Sequence, residues 1–255
     1  MPLVLTPLTG IPLVQPGDDL SRLILAALKK AQIVLQDGDI LVVTQKIVSK
    51  SENRFVNLEE ITPSSEAADL AKKSEKDPRF VELVLRESES ILRVRPGTLI
   101  AEHRLGFVCA NAGIDHSNVQ NLGGNAEDWV LLLPENPDES AHGIRTAIEK
   151  ASGQHIGVLI IDSHGRAWRM GTVGIAIGLS GIPALVDLRG KPDLFGYRLR
   201  VTVVAAADEL AAAASLLMGQ ADEFTPVIHV RGFPYALRES TFQELVRPKE
   251  MDLFR

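Results

Sequence analysis

His155-Ile156-Gly157-Val158-Leu159-Ile160-Ile161-Asp162 runs through β-branched and apolar side chains without a break until it meets a carboxylate. That composition predicts a strand over His155 to Ile161. Just before it, Ser140 to Ala151 has helical spacing. After it come an expected strand at Leu199 to Ala205, an alanine-rich helix at Asp208 to Met218 and a late strand at Val227 to Val230. Strands and helices therefore alternate around the central run, which predicts a mixed α/β architecture.

The N-terminal half continues the pattern. Asp19 to Ala31 places Leu20, Leu23, Ile24, Ala27 and Leu28 at helical intervals. Asp37-Gly38-Asp39 is a turn, and Ile40 to Val43 a short buried strand leading into polar Thr44, Gln45 and Lys46. Pro63 to Glu75 is expected to be helical, capped by Ser64 or Ser65, with a second helix at Pro78 to Ser90. Thr98 to Ala101 and Gly106 to Ala110 read as strands about a charged turn. Asn121 to Asp128 reads as a loop and Val130 to Leu133 as a strand. One domain over 1–255 is expected, with a subdomain boundary at the acidic segment Glu135 to Ser140, which contains Pro137 and follows Pro134.

Composition narrows the chemistry. Of 255 residues, 45% are hydrophobic and 24% charged, enough apolar material for a substantial core. A net charge of −6 leaves no basic footprint for nucleic acid or an anionic membrane surface. Cys109 is the single cysteine, which excludes intramolecular disulfides and cysteine-ligated zinc or iron–sulfur sites and fits a reducing, cytoplasmic setting. Met1 to Leu13 is apolar but lacks a basic n-region or a small-residue cleavage site, so no signal peptide is expected. The uncharged run Met170 to Val186 is broken by glycines and is expected to be a buried segment, not a membrane helix.

Four constellations carry polar groups to places where chemistry happens. Asp115 and Asn118 follow the apolar run Phe107 to Ala110. Asp115 suits a hard cation such as Mg²⁺ or Mn²⁺, though a loop whose Asp and Asn bond their own backbone is the plainer account. Asp162-Ser163-His164-Gly165-Arg166 places a carboxylate, a hydroxyl and a guanidinium directly after a strand, with Arg169 close by. Metal and phosphate binding stands beside a strand-ending Asx turn there. His164 has no second histidine at ligand spacing and is expected to pack or hydrogen-bond. The glycines of Gly171 to Gly181 fit close packing better than phosphate binding, since neither a dinucleotide fingerprint nor a Walker loop is present. Thr44 to Arg54 is a charge run, ordinarily a solvated face, that cradles phosphate only with its lysines turned inward. Cys109, flanked by apolar residues, reads as packing, and no Gly-x-Ser-x-Gly elbow exists.

Taken in order, these segments resemble the coenzyme F420-0 γ-glutamyl ligases. The resemblance rests on Gly10-Ile11-Pro12-Leu13, Asp37 to Asp39 with Val42 to Lys50, and Asn111 to Asp115 with Ser117-Asn118. It continues through Asp162 to Arg166, Gly174 to Gly181, Leu216 to Gln220 and Val230-Arg231-Gly232. It implies that family's fold, in two closely joined subdomains, and a homodimer. It implies condensation of L-glutamate with the terminal carboxylate of a deazaflavin, driven by GTP through an acyl phosphate, with two Mg²⁺ or Mn²⁺ ions and K⁺. Carried over by position, Asp115 and Asp162 match ligands of one metal, Ser163 and Gln220 of the other, and Arg166 joins the two aspartates as a catalytic candidate. Gly10, Ile11, Pro12, Leu13, Gln45, Lys46, Lys50 and Asn118 match nucleotide-holding positions. So do Met218, Gly219, Gln220, Ala221, Asp222, Glu223, Phe224 and Thr225. The chain departs from the family's common pattern at Ser163, where threonine is frequent, and in Gln220-Ala221-Asp222-Glu223-Phe224, where archaeal members often have Glu followed by glycines. Its rivals are a carboxylate–amine ligase for another acceptor, a flavin-binding oxidoreductase and a non-catalytic nucleotide-binding regulator.

Overall fold

The apolar runs at 40–44 and 157–161 lie side by side as parallel strands, Ile40 opposite Gly157 and Thr44 opposite Ile161. The computed structural model describes residues 2–119 and 123–253. In chain order the first part is β1 (Val4–Pro7), α1 (Leu20–Lys30), β2 (Ile40–Thr44), α2 (Gln45–Ser51) and β3 (Phe55–Asn57). Next come α3 (Ser65–Ser74), α4 (Pro78–Arg86), β4 (Ser88–Arg95), β5 (Thr98–His103), β6 (Val108–Ala110) and β7 (Trp129–Leu131). The remainder is α5 (Pro137–Ser152), β8 (Gly157–Arg166), β9 (Arg169–Ser180), β10 (Val186–Asp187), β11 (Val203–Val204), α6 (Ala206–Met218) and β12 (Val227–Arg231). The mixed α/β class is the one that forms.

The main sheet has the order β1-β12-β2-β8-β9, in which only β2 and β8 run parallel. Side chains alternate across it. Leu41, Val43, Val158 and Ile160 pack with α1 and α5, while Ile40, Val42, Leu159 and Ile161 pack with α6. Helices cover both faces, which is why these strands are continuously apolar. A third core, including Leu58, Val81, Val84, Leu99 and Val130, gathers α3, α4, β5 and β7. Two glycines of β9 let helices close on the sheet. A Cβ on Gly174 would come within 2.6 Å of the Ala211 carbonyl oxygen, and one on Gly178 would overlap the Pro137 backbone.

Caps match the expected helix starts: the side chains of Asp19 and Ser64 accept the N–H groups of Arg22 and Ala67. Elsewhere tertiary pairing overrides local pattern. The charge run after β2 is a helix, α2, with Gln45, Ile47, Val48 and Ser49 buried. The helix expected to reach Ser90 stops at Arg86, because Ser88–Arg95 pairs with β5. The central strand does not end at Asp162. It continues to Arg166, held by β9, so Asp162 pairs with Ile175 in mid-strand. The glycine-broken apolar run is mostly that partner strand. The strand expected at Leu199 to Ala205 shrinks to Val203–Val204, and β1 and β3 were not expected at all. In the acidic segment 135–140, Asn136 caps α5 and Pro137 opens it. Of the expected loop Asn121 to Asp128, Asn121 and Leu122 lie outside the described residues, and Ala126–Asp128 forms a 3-10 turn. Among the described residues, no helix is long and apolar enough to cross a membrane.

Two outcomes follow from this packing. His103 is buried against Phe107, its Nδ1 accepts the Leu105 N–H at 3.0 Å and its Nε2 has no hydrogen-bond partner. Burial, with the positive charges of Arg104 and Arg54, pushes its pKa down to about 4. The unfolded chain therefore binds a proton at about pH 6.5 that the folded chain refuses until about pH 4. Stability present above pH 6.5 falls as the pH drops through that window, by on the order of 3 kcal/mol. His103→Asn, which keeps an acceptor for Leu105, should flatten that slope in thermal melts at pH 7, 5.5 and 4. Gly178→Ala should cost about 1–3 kcal/mol in denaturant unfolding by forcing α5 off β9.

Candidate active site

Because β2 and β8 are parallel, the chain leaves both in the same direction, and polar side chains collect beyond the shared edge. They line a cleft of about 520 Å³. From β2 the chain turns at once into α2, where Lys46 and Lys50, one turn apart, share a face. Both point inward: Lys46 Nζ lies 2.6 Å from Asp115 Oδ2, and Lys50 Nζ donates to the Asn118 carbonyl at 2.7 Å. Gln45 is fully buried behind them. Its amide donates to Asp115 Oδ2 at 2.5 Å and accepts the Ser49 hydroxyl at 2.9 Å.

Asp115 is brought there by an unusual turn. Asn111, Ala112 and Gly113 all have left-handed backbones, with φ of 51°, 52° and 65°. For the two non-glycine residues that costs about 1–2 kcal/mol each. Gly113 also has no room for a Cβ beside Leu133. The turn swings the chain so that Asp115 exchanges backbone hydrogen bonds with Leu131, at 2.9 Å each way, at the end of β7.

Asp162 comes from the middle of β8, and only 11% of its side chain is exposed. Its Oδ2 lies 2.9 Å from His164 Nε2, two residues along the same face of the strand. Burial raises its carboxyl pKa, but the hydrogen bond from His164, the charge of Lys46 and the Ser163 N–H outweigh burial and hold it below the usual value. Asp115 shifts the opposite way. Burial raises its pKa, Lys46 opposes the rise, and the negative charge of Asp162 adds to it. The two carboxylates thus accept one negative charge readily and resist the second.

The fourth wall is the loop after α6. Gly219, with φ of 73°, ends the helix. The Thr225 hydroxyl lies within hydrogen-bonding distance of the Leu217 and Met218 carbonyls, at 3.1 and 3.0 Å. Asn118 Nδ2 donates to the Ala221 carbonyl at 3.0 Å, tying this loop to the Asp115 loop. Gln220 Nε2 donates to Ser215 Oγ at 3.2 Å. The Glu223 carboxylate folds back onto the Ala221 N–H at 2.8 Å, and the N–H groups of Gln220 to Glu223 hold its pKa down. Phe224, with φ of 55°, is exposed at the rim.

Of the residues singled out from sequence, Ile11, Pro12, Leu13, Lys46, Lys50, Asp115, Asn118, Asp162, Ser163 and Met218 through Thr225 all line this cleft. Three do not. Gly10 sits in a turn against the Lys30 side chain, Gln45 lies behind Asp115, and Arg166 projects from the far end of β8 with Nη2 3.4 Å from the Met170 carbonyl. Thr44 and Thr172, which fall in the stretches 44–54 and 171–181 but were not named as site residues, also line the cleft, as does Ser215, which was not singled out at all. The polar role of His164 was legible only as strand period: residues i and i+2 share a face. Cys109, also on the wall, has its thiol pKa pushed up to about 12 by burial and by Asp162, so it is no nucleophile.

Among the described residues no three His, Cys, Asp or Glu side chains gather at one point. A cation here would draw on two carboxylates, the Ser163 hydroxyl and the Gln220 amide, an all-oxygen set that suits a hard divalent ion. The reluctance of Asp115 to ionise beside Asp162 is the observation that fits such an ion, since added positive charge relieves it.

The chain is also similar to known proteins along most of its length. The sequence pattern of the family described as F420-0:Gamma-glutamyl ligase matches residues 10–232. A protein named coenzyme F420:L-glutamate ligase from Methanothermobacter thermautotrophicus is 47% identical over 248 residues, 96% of each chain. Proteins of the same name are 47% identical in Methanocaldococcus jannaschii, over 88% of each chain, and 43% identical in Archaeoglobus fulgidus, over 98% of this chain and 95% of that one.

Lys46→Met gives a direct test of the electrostatics. Without Lys46, Asp115 becomes still harder to ionise. A raised carboxyl pKa costs nothing below the unfolded chain's carboxyl pKa, costs more as the pH rises past it, and costs most above the raised value. The variant should lose about 1–2 kcal/mol at pH 7 and little at pH 4. Equal losses at both pH values in urea titrations would contradict the arrangement.

Proposed function

The chain belongs to the F420-0:gamma-glutamyl ligase family, and from that premise we propose that it joins L-glutamate to the terminal carboxylate of coenzyme F420-0, using GTP and two Mg²⁺ or Mn²⁺ ions, with K⁺. The observation that carries this reading is the convergence of Asp115 and Asp162 with Lys46 and Lys50 in one cleft. The carboxylate oxygen of the acceptor attacks the γ-phosphorus of GTP and GDP departs. The glutamate amine then attacks the acyl carbon and inorganic phosphate departs. Both steps need anions brought together, which a chain of net charge −6 accomplishes only locally.

Lys46 and Lys50 supply that local charge toward the nucleotide phosphates. Asp115 and Asp162 would hold one divalent ion, and Ser163 and Gln220 the other. The chemistry supplied there would be positive charge opposite the phosphoryl oxygens during transfer. Homodimer formation is supported by exposed apolar side chains on the segment between β10 and β11, where Leu194 is 97% and Phe195 95% exposed.

The deciding experiment supplies GTP, Mn²⁺ or Mg²⁺, K⁺, L-glutamate and coenzyme F420-0, with phosphate release and product mass as readouts. A gain of one or more glutamyl units that needs both GTP and metal is expected. Asp115→Asn and Asp162→Asn should each cut turnover by about 10²-fold or more with the circular dichroism spectrum unchanged. Phosphate release without a mass gain would reject this acceptor. Full turnover without a divalent ion would reject the metal roles.

A further inference from the structure

We propose that His164 is a positioning residue for Asp162: its Nε2–H holds Oδ2 and fixes the carboxylate plane, leaving the remaining lone pairs of Asp162 to a divalent cation. This rests on the metal reading given above. The hydrogen bond is 2.9 Å long and joins residues i and i+2 of one strand, so both ends are set by the same β8 backbone, itself paired with β9 at Ile175 and Val173. The ring cannot swing aside. It is 6% exposed and tilts against Phe107 at 5.2 Å, which in turn stacks on His103 at 5.1 Å and meets Phe242 edge-on at 5.6 Å.

The other ring nitrogen says which proton is present. Nδ1 is buried and has no hydrogen-bond partner. A proton there would be a stranded donor facing apolar atoms, so the proton sits on Nε2, aimed at Asp162. An imidazole with one idle, buried nitrogen is a poor filler for an apolar wall, where a phenyl ring would do better. What it supplies is the single donor at Asp162. Metal-holding carboxylates are commonly oriented by such a neighbour, and loss of the neighbour typically weakens metal binding 10–100-fold.

Mn²⁺ binding to the nucleotide-free protein, followed by the electron paramagnetic resonance of free Mn²⁺, tests this without turnover. Gln places its Nε2 where the histidine has its own, whereas Phe keeps the ring and loses the donor. His164→Phe should weaken Mn²⁺ binding by about tenfold or more, and His164→Gln should stay within about threefold of the unmodified protein. Equal affinity in His164→Phe and the unmodified protein overturns the positioning role, as does a His164→Gln variant as weak as His164→Phe at the same melting temperature. Should His164→Phe fail to fold, nitrogen NMR of the unmodified, metal-free protein decides. Nε2 protonated with Nδ1 bare supports the proposal, and the reverse tautomer overturns it. An unmodified protein that takes up no Mn²⁺ overturns the metal reading, and this proposal with it.

Discussion

Parallel pairing of β2 with β8 is the constraint on which the site depends. Two strands running the same way release their chains at the same edge, and both chains here turn polar at or just beyond the shared register. A parallel pair also requires a long crossover. The crossover is the segment 45–156, and it returns Asp115 to the cleft after building the third core along the way. An antiparallel pairing would have placed α2 and Asp162 at opposite ends of the sheet. The buried ion cluster of Asp39 with His229 and Arg231 ties β2 to β12 at the other end, with Arg231 Nε 2.9 Å and His229 Nε2 2.9 Å from the carboxylate. One end of β2 is thus closed by fully paired charges, and the other is left with charges that are not.

That contrast gives the cleft its chemistry. Asp39 is buried with enough donors to ionise readily, and its pKa is lowered despite burial. Asp115 and Asp162 share Lys46 and repel each other, so their pKa values separate. Buried like charges repel, and Lys46 is the cation set between them here. The left-handed turn at Asn111 to Gly113 is a second local cost, borne where it aims Asp115.

Much of the fold was legible. Continuous apolar runs at 40–43 and 156–161 announced buried strands, and helical spacing with Asp19 and Ser64 caps announced α1 and α3. The misreadings share one cause. β4 and the second half of β8 are polar or mixed in pattern, and they are strands because β5 and β9 lie alongside. Likewise α2 looks like a solvated charge run, because its buried side includes Gln45 and Ser49, whose polar groups are satisfied by each other and by Asp115. Hydrophobic periodicity does not register a buried face made of hydrogen-bonded polar groups.

By itself the sequence determined the mixed α/β class, the lack of a second cysteine for an intramolecular disulfide, and which residue types stand at strand ends. It also carried the family resemblance. Side-chain direction was a tertiary matter. Whether Lys46 and Lys50 faced water or Asp115, whether Arg166 joined the cleft or left it, and whether His164 touched Asp162 each depended on which strands became neighbours. Local pattern records the burial a residue needs, whereas the partner it meets is set by contacts between segments up to about a hundred residues apart.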